Sequence, residues 1–92
     1  MSDLTRKVYV RVHAAFGTDG SISPEVIEWE DGTKYRIDRV LDVRRAASMR
    51  AGGSGIRYRV RVVWDTPEGQ PAQAVSYIWR EDDNKWFVEA KS

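Results

Sequence analysis

The chain has 92 residues, no cysteine, 32% charged residues and a formal net charge of +1 at pH 7. This length suits one domain with one small core, and the absence of cysteine excludes disulfides, thiolate nucleophiles and cysteine-ligated metals. No stretch approaches the ~20 consecutive apolar residues of a membrane span and no signal-peptide pattern opens the chain, so we expect a cytoplasmic protein.

The first part of the chain reads as two strands and a hairpin turn. Residues 1–6 are expected to be disordered, whereas residues 7–14 alternate apolar and polar side chains, which is typical of a half-buried strand. A stretch rich in Gly, Ser and Pro separates this strand from a short second strand over residues 26–30. Asp31-Gly32 then predicts a tight hairpin with a type I′ turn.

The third strand, over residues 33–43, loses its alternation at Asp38-Arg39, which predicts a β-bulge or a sharp bend near this point. We expect Arg39 to donate to Asp38, Asp42 or a C-terminal carboxylate such as Glu89 and so to hold the bend, because a guanidinium and a carboxylate match in a forked geometry. In the competing hypothesis, Arg39 contacts a ligand.

The fourth strand, over residues 56–64, has the clearest alternation in the chain. Residues 44–50 before it fit either a helical turn or a longer third strand, and the glycine-rich residues 52–55 predict a flexible loop. Successive side chains of a strand point to opposite faces. One face therefore carries Ile56, Tyr58, Val60, Val62 and Trp64, and the other carries Arg57, Arg59, Arg61 and Val63.

Residues 74–80 and 85–90 read as the fifth and sixth strands. Six strands without a confident helix predict an all-β fold. We expect a single domain over residues 7–91, a small antiparallel β-barrel (SH3-like or a related open barrel) with at most one short helical turn. The predicted core, in which Trp29 and Trp86 have structural roles, comprises Val8, Val10, Val12, Trp29, Tyr35, Ile37, Tyr58, Val60, Val62, Tyr77, Trp79, Trp86 and Val88.

No residue pattern points to catalysis. The single histidine, His13, lies on the polar side of the first strand, and one histidine without cysteine does not make an ordinary zinc site. The Gly-x-Ser-x-Gly and Walker patterns are absent, and the carboxylates fall in turns and on polar strand faces. We therefore expect a protein without enzymatic activity, cofactor or metal.

The basic residues are concentrated in the centre of the chain. Residues 36–61 carry eight arginines against Asp38 and Asp42. Such an uneven charge distribution marks a candidate binding surface. The candidate binding residues are Arg57, Arg59 and Arg61, joined by Arg11, Arg44, Arg45 and Arg50.

Two functions are compatible with this basic face. The first hypothesis is a non-catalytic interaction module that binds a protein or an acidic polymer. The alternative is a single-stranded nucleic-acid-binding protein, since cations contact phosphates while aromatic rings stack on bases. A third interpretation treats the arginines as a solvated face that carboxylates on neighbouring strands neutralise. The oligomeric state is left open.

Several segments resemble a family of short uncharacterised bacterial proteins. They are Trp29-Glu30-Asp31-Gly32, Tyr35-x-Ile37-Asp38-Arg39-Val40-Leu41-Asp42-Val43-Arg44, Ala51-Gly52-Gly53-x-Gly55-x-Arg57-Tyr58-x-Val60-Arg61 and Lys85-Trp86-Phe87-Val88-Glu89. The similarity runs from about Val8 to Lys91. It implies a small stand-alone bacterial protein and assigns no catalytic or binding residue.

Overall fold

The computed structural model describes residues 5–48 and 54–91, which form six antiparallel strands. Each strand pairs with the next along the chain and the first pairs with the last, so the sheet closes into a barrel. The described residues contain no helix, and so none of membrane-spanning length. The predicted all-β barrel is confirmed. The strands are β1 Thr5–Phe16, β2 Ile22–Glu28, β3 Lys34–Ala47, β4 Ser54–Asp65, β5 Pro71–Arg80 and β6 Trp86–Lys91.

The barrel interior is filled by alternate residues of each strand, as the period-two pattern of β4 predicts. Val60 and Ile78 are completely buried. Around them, the buried core contains Val8, Ile27, Tyr58, Val62, Trp86 and Val88, and the partly buried Val10, Val12, Trp29, Tyr35 and Ile37 pack against it.

The inward face of β5 is opposite to the one that the sequence predicts. Tyr77, expected in the core, is 41% exposed on the outside, and Ile78 lies inside. Residues 74–80 have apolar side chains on both faces, so the alternation alone does not select the buried one. Ser76, which pairs with the fully buried Val60, has a small side chain that suits the narrow interior of a small barrel.

Trp79 is buried, as predicted, but in a second cluster on the outside of the barrel. Its ring stacks on Phe87 of β6 at a centroid distance of 5.3 Å and an interplanar angle of 6°. Tyr9 of β1 contacts the edge of Phe87 at 6.2 Å, and Lys7 Nζ lies 4.7 Å from the Phe87 ring centre. These contacts join three strands at the place where β5 and β6 pair at two positions, Trp79 with Phe87 and Arg80 with Trp86.

Four of the five connections are hairpin loops of one kind. In the loop after β2, Gly32 N donates to Trp29 O at 2.9 Å and Trp29 N donates to Thr33 O at 2.8 Å. Only Gly32 of this loop has positive φ, at 89°, so the predicted type I′ turn, which requires two such residues, is wrong. The same hydrogen-bond pattern recurs after β1, β4 and β5, where the positive-φ residue is Gly20, Gly69 or Asn84.

The predicted irregularity in β3 is confirmed. Its pairing with β4 shifts register between Ile37 and Arg39 and again between Val40 and Asp42. The two alternatives for residues 44–50 are resolved as strand up to Ala47, and residues 49–53 lie outside the described part of the chain.

Strand boundaries differ from prediction by up to four residues, and β5, for example, begins at Pro71 rather than at residue 74. β1 begins at Thr5, two residues before the predicted start, and residues 1–4 are outside the described part. β2 begins at Ile22 and contains Pro24, which lies at a register shift opposite Ala14. Proline lacks a backbone N–H and is tolerated at such bulges, especially here, since β2 pairs with β3 only from Val26 onward.

Gly55 lies where β4 passes close to the end of β5. A Cβ added to Gly55 would lie 2.9 Å from the carbonyl carbon of Arg80 and 3.3 Å from Cα of Glu81. We expect Gly55→Ala to lower the free energy of unfolding by about 1–3 kcal/mol, since backbone must shift to admit the methyl group. Urea unfolding measures this loss, with the exposed Gln73→Ala as control, expected within about 0.5 kcal/mol of wild type. An unchanged midpoint in Gly55→Ala would contradict the close approach.

A polar contact also holds β1 against the loop after β5. Lys7 Nζ donates to Glu81 Oε2 and Tyr9 Oη donates to Glu81 Oε1, both at 2.8 Å. The hydrogen bond from Lys7 is the main cause that lowers the pKa of Glu81 below its ordinary value of 4.5, and the bond from Tyr9 lowers it further.

This contact makes stability depend on pH in a defined direction. A carboxyl group whose pKa is lowered by folding stabilises the protein above its unfolded pKa, and the stabilisation is lost as the pH falls through the folded value. We therefore expect the free energy of unfolding, measured by urea titration, to fall less in Glu81→Gln than in wild type as the pH is lowered from about 7 to about 3. Glu68→Gln, which removes the same charge from an exposed loop, serves as control. Equal losses in Glu81→Gln and wild type would refute a stabilising role for the contact.

Candidate functional site

The three arginines of β4 share one outer surface with side chains of β3 and β5. Arg57 lies between Arg44 and Trp79, Arg59 between Asp42 and Tyr77, and Arg61 between Arg39 and Val75. The prediction that Arg57, Arg59 and Arg61 lie together opposite the core is confirmed. We call this surface the arginine face; its residues are Asp38, Arg39, Asp42, Arg44, Arg57, Arg59, Arg61, Val75 and Tyr77.

Two of the five arginines on this face are held by carboxylates. Arg61 Nε donates to Asp38 Oδ2 at 2.7 Å and its terminal nitrogen forms an ion pair with the same oxygen. Arg44 Nε donates to Asp42 Oδ2 at 2.7 Å, which is the main cause that lowers the pKa of Asp42. Neutralisation by carboxylates is therefore real but incomplete, because five arginines face two aspartates, and of the two pairs only Arg61–Asp38 joins neighbouring strands.

Arg57 lies against an aromatic ring. Its guanidinium carbon is 4.7 Å from the ring centre of Tyr77, a distance typical of a cation–π contact. Its Nε is buried and has no hydrogen-bond acceptor among the described residues. Tyr77 keeps 41% of its surface exposed, so a cation and an accessible ring lie side by side.

The prediction that Arg39 pairs with Asp38, Asp42 or Glu89 is wrong for the part of the chain that is described. Arg61 and Arg44 hold the two aspartates, and Ser48 Oγ donates to Glu89 Oε2 at 2.6 Å. The reason is the pair of register shifts in β3, which place the exposed Arg39 directly opposite Arg61. Like charges then face each other at these two positions.

Two other predicted binding residues are not on the arginine face, and a third is not among the described residues. Arg11 would adjoin the β4 arginines only if β1 neighboured β4, and β1 instead pairs with β2 and β6. Arg45 pairs with the inward-facing Ile56, and its side chain is 3.7 Å from Asp82. Arg50 lies outside the described residues.

His13, Trp29 and Trp86 lie where the sequence predicts, His13 at the surface and the two tryptophans against the core. His13 is about half exposed, and its Nε2 lies 3.2 Å from Glu28 Oε1, a contact that lowers the pKa of Glu28. No group of three potential metal ligands occurs within the described ranges. Trp86 is buried against Tyr58 at a ring distance of 5.2 Å, and Trp29 packs against the core.

Sequence reasoning missed a cleft beside Arg80. The cleft has a volume of about 540 Å³ and opens where β6 begins, opposite Val10 of β1. One feature of the sequence could have indicated it. Arg80 lies two residues after Ile78, so it occupies an inward-facing position of β5 at which an apolar residue is expected. The cleft is lined by Tyr9, Val10, Arg11, Val12, Ala14, Phe16, Ile22, Arg80, Asn84, Lys85 and Trp86.

No protein-family model, curated protein or solved structure matches this chain. The resemblance to short bacterial proteins therefore stays a prediction.

Proposed function

We propose that this protein is a non-catalytic binding module whose arginine face holds an acidic chain. The observation that supports this most directly is a group of three guanidiniums on that face. Arg39, Arg57 and Arg59 form no ion pair with any carboxylate in the described residues. A surface with such an excess of one charge attracts partners of the opposite charge.

An extended acidic segment of another protein suits this face. Arg57 and Arg59 are two residues apart on a strand, so their Cα atoms are about 6.6–6.8 Å apart. An extended peptide with an acidic residue at every second position repeats with the same period. Each carboxylate then meets one guanidinium, and arginine binds carboxylates through paired, charge-assisted hydrogen bonds.

The charge of the face can be changed in both directions with small substitutions. We expect Arg59→Gln to weaken binding of fluorescently labelled poly-L-glutamate, because one unpaired guanidinium is lost. We expect Asp42→Asn to strengthen it, because Arg44 is released from its partner. Both effects should shrink as salt is added, since exposed charges are screened within about 8 Å at physiological ionic strength.

Fluorescence anisotropy of the labelled polymer measures these changes. Arg6→Gln is the matched control, since it removes the same charge from an exposed position on β1, which does not neighbour β4. Binding that Arg6→Gln and Arg59→Gln weaken equally would reflect net charge alone and would reject the arginine face as the site.

Single-stranded nucleic acid is a second candidate, and the exposed ring of Tyr77 is the observation that favours it. A base stacked on an aromatic ring contributes about 1–3 kcal/mol, and the neighbouring Arg57 and Arg59 would contact phosphates.

Tyr77 separates the two candidates. If nucleic acid is the ligand, Tyr77→Ala weakens binding of a labelled oligothymidylate by about 1–3 kcal/mol, whereas Tyr77→Phe, which keeps the ring, does not. Poly-L-glutamate affinity should stay the same in both variants. Oligothymidylate binding that is absent at low salt, or that does not change in Tyr77→Ala, would exclude the nucleic-acid candidate.

A further inference from the structure

We propose that the cleft beside Arg80, which we call the Arg80 cleft, binds a small organic anion with a carboxylate head and an apolar body. This site is separate from the arginine face and does not depend on the function proposed for that face. Three features of the cleft support the inference: its charge, the way Arg80 is held, and its apolar wall.

The charged residues that line the cleft, Arg11, Arg80 and Lys85, are all cationic. Arg11 is exposed and lies opposite Glu28, so Arg80 is the cation with the most direct access to the cleft. Lys85 reaches Asp83 at 3.6 Å, whereas Arg11 and Arg80 form no ion pair within the described ranges. The cleft therefore has an excess of positive charge next to apolar surface, which an anion would neutralise.

Arg80 is held in position by neutral groups. Its Nε donates to Tyr58 Oη at 3.3 Å, and its Nη1 donates to Asn84 Oδ1 at 3.1 Å. Tyr58 Oη in turn donates to the carbonyl oxygen of Ile22 at 3.3 Å. A guanidinium has five N–H donors, so three remain available to a ligand. A partly buried guanidinium that is fixed by neutral partners is pre-organised for a carboxylate.

The rest of the cleft is apolar because β1 extends beyond β6. β6 begins at Trp86, opposite Val10, so in the described residues no strand covers β1 on that side after Val10. Phe16, at the far end of β1, is 74% exposed, and the volume of about 540 Å³ is typical of small-molecule sites. An alkyl or aryl body would cover the apolar side chains Val10, Val12, Ala14, Phe16, Ile22 and Trp86.

The test uses the full chain and three probes that each have a ten-carbon chain and differ in the charge of the head group: sodium decanoate, 1-decanol and decyltrimethylammonium. Amide NMR spectra of the isotopically labelled protein are recorded during each titration. We expect decanoate to shift the signals of residues 10–16 and 80–86 saturably. Decanol should bind on the order of tenfold more weakly, because its neutral hydroxyl replaces the paired contact between a carboxylate and Arg80 with a single hydrogen bond, and the cationic probe should not bind there.

Two substitutions locate the head and the body of the ligand. Arg80→Met keeps an unbranched apolar stem but removes the guanidinium, and we expect it to lower decanoate affinity on the order of tenfold while decanol affinity changes much less. Ala14→Phe should lower the affinity for both probes by filling the apolar part. Arg59→Met is the matched control, since it removes an arginine from the arginine face and should leave decanoate affinity unchanged.

Four results would overturn the proposal: no saturable shifts, decanol binding as tightly as decanoate, unchanged decanoate affinity in a folded Arg80→Met, or shifts centred on Trp29, Tyr35 and Trp64, which line a different cleft of about 400 Å³. If Arg80→Met does not fold, the shift map of the unmodified protein and the Ala14→Phe titration decide. Poly-L-glutamate binding that persists in Ala14→Phe keeps the outcome for this cleft distinct from that for the arginine face.

Discussion

Closure of the barrel depends on the stacked pair Trp79 and Phe87. β5 and β6 pair at two positions, so few backbone hydrogen bonds join them, and the two buried rings supply much of the contact between these strands. The same short pairing leaves a cleft between β5 and the end of β6, lined by Val75 and Glu89 among others. The Arg80 cleft lies at the other end of this pairing, where β1 extends beyond the start of β6.

The arginine face and the Arg80 cleft use the same side chain in different surroundings. On the arginine face, guanidiniums lie on an open sheet, and two aspartates neutralise some of them. In the cleft, Arg80 is partly buried and held by a phenol and an amide, so its charge has no internal partner. Open arginines suit extended, multiply charged partners, whereas a confined arginine beside apolar surface suits one small anion.

Sequence reasoning succeeded where local alternation is unambiguous and failed where neighbours in space decide. β4 has arginine on one face and apolar residues on the other, so its orientation was predictable. β5 has apolar residues on both faces, and only the stack with Phe87 selects the outward position of Trp79. The partner of Arg39 depends on two register shifts, and the position of Arg11 depends on strand order, neither of which a single strand encodes. The sequence shows that Arg80 is a charged residue at an inward-facing position of β5. Its contacts with Tyr58 and Asn84, which hold it beside the cleft, are visible only in the structure.

The order of the strands also has a consequence for how the chain folds. Five of the six strand pairs are formed by strands that are consecutive in sequence. Four of the five connections between these strands are short loops with the same hydrogen-bond pattern. These pairings have low contact order and can form early. The β1–β6 ladder, which sets Lys7 opposite Glu89, spans nearly the whole chain, so closing it in the unfolded chain costs more entropy than closing any one of the hairpins. We expect β1 to join β6 after the transition state, with φ-values lower in these two strands than in the β3–β4 hairpin.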